Sequence, residues 1–260
     1  MKIAILLTAT IKPSTTFNLK RQDPLIREDD YTLTLEKIFQ STPYPIVFCE
    51  NSNYQSTKIV SVFGQNKNRE CELIQYKENY FSPERGKGYG EIHIIKYALE
   101  RSNILKESDL IIKISGRYYV ENLKKIMPTL NESTYIMSDY NKNKINTYCG
   151  LFIAKPDFFT KYLFKYIDFI DDSKRQPLER ALTLAIKDAL LDQKLCSNFT
   201  ENPIIEGYSG TFNIKIDKKN YNSVNFSLTK LKIIIFPWMK QTFIKIFGQK
   251  IYNYLNILNK

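Results

Sequence analysis

The chain has 260 residues, 43% of them hydrophobic and 13% aromatic, which is enough for a sizeable core and is not a disordered composition. A single histidine and four scattered cysteines without a Cys-x-x-Cys pair argue against a zinc site and favour a reducing compartment. The formal net charge is +11, which raises a membrane surface or a nucleic acid as possible partners.

Six short apolar runs predict buried strands. The first is too short for the core of a signal peptide, and no apolar run approaches the roughly twenty residues that a membrane-spanning helix needs. The runs are Ile3–Leu7, Ile46–Cys49, Leu73–Tyr76, Leu110–Ile114, Tyr135–Met137 and Leu151–Ala154. Because they are continuously apolar, we expect strands that are buried on both faces of the sheet.

Segments with helical spacing separate the early strands, at 33–39, 59–63 and 92–99. Two further helices are predicted at 156–169 and 177–194, the second with Pro177 in its first turn. Residues 203–216 are expected to form short strands or loop. Strands that alternate with helices indicate an α/β domain with a mostly parallel central sheet and helices on both faces.

The carboxyl edge of such a sheet is where ligands bind, so the polar residues that follow each strand are candidate site residues. After the first strand come Thr8, Thr10 and the basic residues of 20–27, among which Arg27 is the candidate. After the second strand come Glu50, Asn51 and Ser52, whose short polar chains suit a base or ribose but equally suit a helix cap.

A glycine-rich segment, 84–91, precedes the third predicted helix. Backbone amides at a helix start favour an anion, and Lys87 beside Gly88 adds positive charge. The segment lacks the spacing of a phosphate-binding loop, so a flexible turn remains the alternative.

The fourth strand ends in Ser-Gly-Arg-Tyr, 115–118, and this is the most informative stretch of the chain. Gly116 permits a tight turn or a close ligand, and Lys113 and Arg117 flank it with positive charge that suits phosphate oxygens. Tyr118 completes the group, and an ordinary turn with solvated basic side chains is the alternative. A later loop supplies hydroxyls and a glycine where no core is needed, and we assign it to acceptor or donor binding: Tyr208, Ser209, Gly210 and Thr211.

These segments together resemble a nucleotide-sugar glycosyltransferase of the single-domain, Rossmann-like GT-A class found in bacterial capsule and lipopolysaccharide gene clusters. The resemblance covers roughly residues 1–215. It rests on diffuse motifs: Thr-Ala-Thr and Glu-Asn-Ser-Asn at strand ends, Gly-Tyr-Gly-Glu, Lys-Ile-Ser-Gly-Arg-Tyr, and Gly-Leu-Phe-Ile-Ala-Lys-Pro-Asp-Phe-Phe.

The resemblance implies a site with particular chemistry. Members of the class usually bind a divalent metal through Asp-x-Asp at the end of the fourth strand, but residues 115–117 are Ser-Gly-Arg here. We therefore expect no metal, or at most a weakly held Mg²⁺ or Mn²⁺, with Lys113 and Arg117 taking over its role. The class also implies a carboxylate base near the start of a helix after the sheet, which matches Glu179, although favourable interaction with the helix dipole explains that position equally. Asp139 is the alternative base, and residues 171–172 are expected in a solvated loop.

The final segment differs from the rest of the chain. Residues 218–260 contain eight lysines and no acid, which leaves only +3 for residues 1–217. Apolar and aromatic residues recur there at helical spacing, so we expect a basic amphipathic helix, with 228–260 on an anionic membrane surface or packed on the core. The domain division is thus 1–217, catalytic, and 218–260, tail.

The sequence hypothesis is a membrane-associated glycosyltransferase on the cytoplasmic face of the inner membrane. It would transfer a sugar from a nucleotide diphosphate donor to a hydroxyl of a glycan or glycolipid. The alternatives are another nucleotide-binding α/β enzyme such as a nucleotidyltransferase, or a non-enzymatic basic module that binds membrane or nucleic acid. A tail with lysines and no arginines is a poor reader of bases, so no nucleic-acid partner is expected.

Overall fold

A computed structural model describes residues 1–14, 19–77, 81–126 and 130–216. The predicted tail, 218–260, lies outside them, so the division of the chain at residue 217 remains a prediction. The α-helices are α1 Pro24–Ser41, α2 Thr57–Gln65, α3 Gly86–Arg101, α4 Asn103–Lys106, α5 Leu123–Ile126, α6 Pro156–Lys161 and α7 Leu178–Leu191. The strands are β1 Ile3–Ala9, β2 Ile46–Glu50, β3 Cys71–Gln75, β4 Leu110–Ser115, β5 Tyr118–Val120, β6 Ile136–Ser138, β7 Leu151–Ala154, β8 Cys196–Asn198, β9 Ile205–Tyr208 and β10 Lys215–Ile216.

The central sheet has seven strands in the order β3-β2-β1-β4-β7-β6-β8. The first four strands in this order are parallel, and β7 is antiparallel to both of its neighbours. The chain builds β1, β2 and β3 outward in one direction and then returns to the other side of β1 to form β4. The point between β1 and β4 is therefore a topological switch point, where open α/β sheets bind ligands.

The predicted fold class is confirmed: the protein is an α/β domain with a mostly parallel central sheet. All six predicted strands are present within two residues of their predicted bounds. The core strands are buried along their length, and Leu6, Ile46 and Ile112 are fully covered by the helices on the two faces. Within the described residues, no helix is long and apolar enough to cross a membrane.

A second, three-stranded antiparallel sheet has the order β10-β9-β5. It is built from the hairpin 205–216, predicted as short strands or loop, and from β5 directly after the Ser-Gly-Arg turn. The predicted helix 156–169 is shorter than expected, because α6 ends at Lys161 and a 3-10 helix, Leu163–Tyr166, follows it.

Candidate functional site

The predicted site residues lie along the carboxyl edge of the central sheet, or in the hairpin 205–216 beside it. They form three groups, which we call the nucleoside cleft, the arginine cluster and the carboxylate cluster. The nucleoside cleft, named for the ligand predicted there, is next to the ends of β1, β2 and β3. The arginine cluster consists of Arg117 and the hairpin 205–216 that it contacts. The carboxylate cluster consists of Asp172 and Glu179, before and at the start of α7. Several of the predicted residues hold these groups in place and do not face the open surface.

The nucleoside cleft has a volume of about 460 Å³, which is within the usual range for a small-molecule pocket. Its walls are the loops that follow β1 and β2, together with Lys77 after β3. The lining residues are Lys12, Pro13, Ser14, Ser52, Asn53, Tyr54, Gln55 and Lys77. Amides, hydroxyls and an aromatic ring in one cleft suit the hydrogen bonding and stacking of a nucleoside. Of the predicted donor residues, Ser52 lies in this wall.

Glu50 is fully buried below the cleft and binds the two loops that form its walls. One carboxylate oxygen accepts hydrogen bonds from the amides of Ile11 and Ser52, both at 2.9 Å, and from the Ser52 hydroxyl. The other accepts from the amide of Tyr54 at 3.2 Å. Because backbone donors occupy both oxygens, we assign Glu50 to positioning the cleft and no longer to direct contact with a donor.

The residues after β1 are likewise occupied by internal contacts. The Thr10 hydroxyl donates to the side-chain amide oxygen of Asn51 at 2.7 Å, and Asn51 is buried. The Arg27 guanidinium is buried and donates to the Thr10 carbonyl, through Nε at 2.8 Å and Nη2 at 2.5 Å. Burial lowers the pKa of Arg27 from its ordinary value. Arg27 therefore holds the β1 loop against α1 and has no surface to offer a diphosphate.

In the arginine cluster, Arg117 lies under the hairpin 205–216. Its Nη1 donates to the Tyr208 carbonyl at 3.0 Å, and its guanidinium lies 5.9 Å from the centroid of the Tyr31 ring. A side chain at Gly210 would place its Cβ 2.8 Å from Arg117 Nη2, so this glycine is needed for the close approach. The guanidinium has five donors, of which the Tyr208 carbonyl and the Tyr31 side chain each take one, so Arg117 keeps capacity for an anion.

The turn before Arg117 is fixed by the end of β1. The Gly116 amide donates to the Thr8 carbonyl at 2.9 Å, and a Cβ at Gly116 would lie 2.8 Å from that oxygen. Gly116 is thus required by the close contact of two strand ends, and not by a ligand. Tyr118 follows in β5 and stacks on Tyr148 at 6.5 Å between centroids, and burial raises the pKa of the Tyr118 hydroxyl to about 12.

The predicted glycine-rich loop forms the first turns of α3, which begins at Gly86. A Cβ at Gly88 would lie 2.9 Å from the Leu178 side chain, so Gly88 is required for packing of α3 on the start of α7. Lys87 is exposed and its ammonium donates to the Thr211 hydroxyl. The structure therefore brings together Lys87 and the hairpin loop, two predictions from distant parts of the sequence. Ser209 turns this loop by accepting a hydrogen bond from the Phe212 amide at 3.3 Å.

Lys113 is fully buried, and its ammonium is directed at three protein acceptors. They are Glu91 Oε1 at 2.5 Å, the Cys149 carbonyl at 2.8 Å and the Ser115 hydroxyl at 3.3 Å. A lysine has three ammonium protons, so none is left for a diphosphate. The role predicted for Lys113 is therefore revised from donor contact to positioning of Glu91, a residue to which sequence analysis gave no role.

The carboxylate cluster contains Glu179 in the first turn of α7 and Asp172 in the preceding 3-10 helix, Asp172–Lys174. Glu179 Oε1 accepts a hydrogen bond from the thiol of buried Cys149 at 3.3 Å. Burial raises the pKa of the Asp172 carboxyl, and the charge of Glu179 adds to this shift while Lys87 opposes it. The two carboxylates and Lys87 thus influence one another at the edge of the sheet.

Residues 171–172 do not form the solvated loop that the sequence indicates. Asp171 is buried and accepts hydrogen bonds from the amide and hydroxyl of Ser173, at 3.0 and 2.6 Å. Asp172 is half-buried against Gly86, where a Cβ would lie 1.9 Å from its Oδ2. Gly86 has a φ of 76°, which glycine adopts without strain. No local signal in the sequence marks Asp172, because its neighbours come from α3.

Asp139, the alternative base, has partners on both carboxylate oxygens. Oδ2 forms an ion pair with Lys144 at 2.5 Å, and Oδ1 accepts from the Tyr148 amide at 2.9 Å. Asp139 therefore holds the loop 140–148 in place through these two contacts. A base needs an oxygen that can reach the acceptor hydroxyl, and this makes Glu179 and Asp172 better placed for that role.

The place where the resembled class binds its metal holds a different set of groups. The end of β4 offers the ammonium of Lys113 and the hydroxyl of Ser115, both directed at Glu91 Oε1. An ammonium group repels a divalent cation, so these residues do not fit the metal site of the class. Among the described residues, no group of three or more histidines, cysteines or carboxylates could hold a metal ion. Metal independence remains a prediction.

No family model matches this sequence, and no curated protein matches it. Solved structures are similar in fold. Core-mannan synthase A from Aspergillus fumigatus, in its Mn/GDP form, aligns with a TM-score of 0.50 and 9% identity over 88% of this chain and 82% of that one. A galactosyltransferase in complex with donor and acceptor sugar analogues aligns at 0.45, with 9% identity over 75% and 72%. A cytidylyltransferase from Leptospira borgpetersenii serovar Hardjo-bovis aligns at 0.44, with 13% identity over 94% and 97%.

At 9% identity, the first of these similarities shows the fold alone. The protein has the Rossmann-like α/β fold of the GT-A class, as the sequence indicates. Glycosyltransferases and nucleotidyltransferases both occur among the similar structures. The similarity in fold assigns neither activity to this chain.

Proposed function

We propose that the protein is a glycosyltransferase that moves a sugar from a nucleotide diphosphate donor to a hydroxyl of a glycan. The observation that carries the proposal is one continuous set of contacts at the sheet edge. Arg117 contacts the hairpin 205–216, the hairpin contacts Lys87, and Gly86, next to Lys87, packs against Asp172 in the carboxylate cluster. Cations for a departing diphosphate and carboxylates for an acceptor hydroxyl thus share one site.

The nucleoside cleft supports the same proposal. It lies at the ends of β1, β2 and β3, on the side of the switch point opposite to the carboxylate cluster. A nucleotide sugar is an elongated ligand that would place its nucleoside in the cleft, its diphosphate near Arg117 and Lys87, and its sugar near the carboxylates. Positive groups that are already in position would stabilise the charge that develops on the leaving diphosphate.

A binding screen tests the proposal directly. Calorimetry with nucleoside diphosphates, in the presence of EDTA, should identify at least one that binds, and thermal unfolding should shift upward with its concentration. Incubation with the matching nucleotide sugar and a hydroxyl acceptor should then release the diphosphate. Release of pyrophosphate from a nucleoside triphosphate and a sugar phosphate would identify a nucleotidyltransferase and contradict the proposal.

Arg117→Ala should weaken the affinity for the diphosphate about tenfold or more, while nucleoside affinity changes little. The reason is the loss of a charge-assisted contact to phosphate oxygens, which is typically worth about 1.5–3 kcal/mol. Arg101→Ala is the matched control, because Arg101 is an exposed arginine and is the last residue of α3. Equal diphosphate affinities of wild type and Arg117→Ala would remove Arg117 from the site.

We further propose that the acceptor is a lipid-linked bacterial surface glycan and that residues 228–260 bind the cytoplasmic face of the inner membrane. The support is the sequence of this segment, which combines an aromatic and aliphatic stripe with lysines and no acid. Each lysine near an anionic surface contributes about 1 kcal/mol.

Deletion of 228–260 should release the protein from vesicles that contain anionic lipid while nucleotide binding is retained. Sedimentation with vesicles and calorimetry with the diphosphate measure the two properties separately. High salt should detach the intact chain only in part, because apolar insertion persists when charges are screened. Unfolding of the truncated protein would show that the segment packs on the core, and unchanged vesicle binding would place the membrane contact elsewhere.

A further inference from the structure

Glu91 in α3 is held through one of its two carboxylate oxygens. Oε1 accepts hydrogen bonds from the Thr8 hydroxyl at 2.9 Å, the Lys113 ammonium at 2.5 Å and the Ser115 hydroxyl at 2.9 Å. Oε2 has no hydrogen-bond partner among the residues that the structure describes, and a fifth of the side chain is exposed (20%). One oxygen is therefore fixed by the protein and the other is left as an acceptor.

The position of Glu91 is the switch point of the sheet. Thr8 lies at the end of β1 and Ser115 at the end of β4, and these strands are neighbours, so Glu91 lies across their carboxyl ends. Open α/β sheets bind ligands in the crevice at this point. The fixed oxygen contacts residues of both strands, and the other carboxylate oxygen is the one left to accept from a ligand at this point.

The charge of Glu91 decides which ligand groups it can accept. Burial alone would raise the pKa of this carboxyl, but the charge of Lys113 and the hydrogen bonds from Lys113, Ser115 and Thr8 outweigh it and lower the pKa. The group is thus ionised at neutral pH and is an acceptor only. An ionised carboxylate repels phosphate oxygens and attracts hydroxyl donors, so a polyhydroxylated group suits it and a diphosphate does not.

We propose that Glu91 Oε2 accepts hydrogen bonds from hydroxyl groups of the donor sugar, and that Lys113 is the residue that positions it. This assignment rests on the proposed function and names the part of the donor that Glu91 contacts. The nucleoside cleft lies on the β2 and β3 side of β1, and Glu91 lies on the β4 side, so the nucleoside and the sugar would occupy separate ends of one site.

The test compares two affinities for each protein, that for a nucleoside diphosphate and that for its sugar conjugate. Uridine, guanosine, cytidine and adenosine diphosphates and their hexose conjugates are titrated by calorimetry in EDTA, and the pair that binds the wild type is used. Glu91→Gln keeps the shape but loses the charge. We expect it to change the ratio of the two affinities about tenfold or more while the affinity for the diphosphate stays within about twofold.

Glu91→Gln leaves the ammonium of Lys113 buried without its anionic partner, and this can prevent folding. A second variant, Glu91→Gln with Lys113→Met, removes both charges and keeps the volume of the pair. It should fold, bind the diphosphate like the wild type and show the same altered ratio. Lys113→Met alone keeps the carboxylate but loses its anchor, and it should alter the ratio less than the double variant does.

Several results would overturn the assignment. An unchanged affinity ratio in the folded double variant would show that Glu91 does not contact the sugar. An equal loss of affinity for diphosphate and conjugate would place Glu91 against the nucleotide. An effect that appears only when Mn²⁺ or Mg²⁺ replaces EDTA would mean that Glu91 acts through a metal ion. If no diphosphate binds the wild type, the proposed function fails and this assignment fails with it.

Discussion

Glu50→Ala should lower the free energy of unfolding by about 3–5 kcal/mol, because three backbone amides would lose their acceptor in a buried place. These are the amides of Ile11, Ser52 and Tyr54, at 2.9, 2.9 and 3.2 Å from the carboxylate. An unpaired buried donor costs about 1–3 kcal/mol, and a domain of this kind is stable by only about 5–15 kcal/mol. Urea denaturation of the two proteins measures the difference.

Glu36→Ala is the matched control, since Glu36 is exposed on α1, and it should change the free energy of unfolding by less than about 0.5 kcal/mol. Glu50→Gln should fall between the two, because its amide nitrogen cannot accept from the backbone donors around it. The Gln variant should also bind nucleoside more weakly, since Glu50 shapes the walls of the nucleoside cleft. If Glu50→Ala lowers the free energy of unfolding by no more than Glu36→Ala does, the loops that Glu50 contacts are stabilised by other residues.

The fold could be predicted from the sequence because its central strands are continuous apolar runs that two layers of helices must cover. The direction of β7 could not, because a four-residue apolar strand is the same in either direction. The second sheet was predicted only as short strands or loop over 203–216, because its strands have two to four residues. Periodicity needs longer segments than these to be informative.

The position of the candidate residues at the edge of the sheet could be predicted, and their contacts with one another could not. The residues that follow each parallel strand lie at the carboxyl edge of the sheet, so the polar residues at this edge could be identified from the predicted strands. Which of them hold the loops depends on partners that lie far away in sequence, such as Ile11 for Glu50 and Glu91 for Lys113. The sequence does not distinguish a buried lysine such as Lys113, which donates to three protein acceptors, from a lysine that is exposed to a ligand.

The glycines show the same limit. The glycine-rich segment predicts an anion site or a turn, but its glycines are required for contacts of helix α3. Gly88 contacts Leu178, the first residue of α7, and Gly86 contacts Asp172 in the segment before this helix. The segment of the sequence most typical of a phosphate site is therefore packed against the carboxylate cluster.

The largest effect on activity is expected for Glu179→Gln, which should lower the rate of sugar transfer by about 10²-fold or more while donor affinity is retained. Glutamine keeps the shape of the side chain and the contact with the Cys149 thiol but cannot take the proton of the acceptor hydroxyl. Transfer from the nucleotide sugar selected by calorimetry gives the rate, and titration of that donor gives the affinity. Glu100→Gln, an exposed glutamate on α3, is the matched control and should leave the rate unchanged.

Asp172→Asn separates the two carboxylates of the cluster. If Glu179 is the base, Asp172 acts on it only through charge and Asp172→Asn should lower the rate less than tenfold. A rate that collapses in Asp172→Asn and persists in Glu179→Gln would make Asp172 the base. Its raised pKa, caused by burial and by the charge of Glu179, would then set the acid limb of the pH profile, and activity would fall as the pH drops through that value. Normal rates in both variants would move the role to Asp139, which Asp139→Asn would test in the same assay.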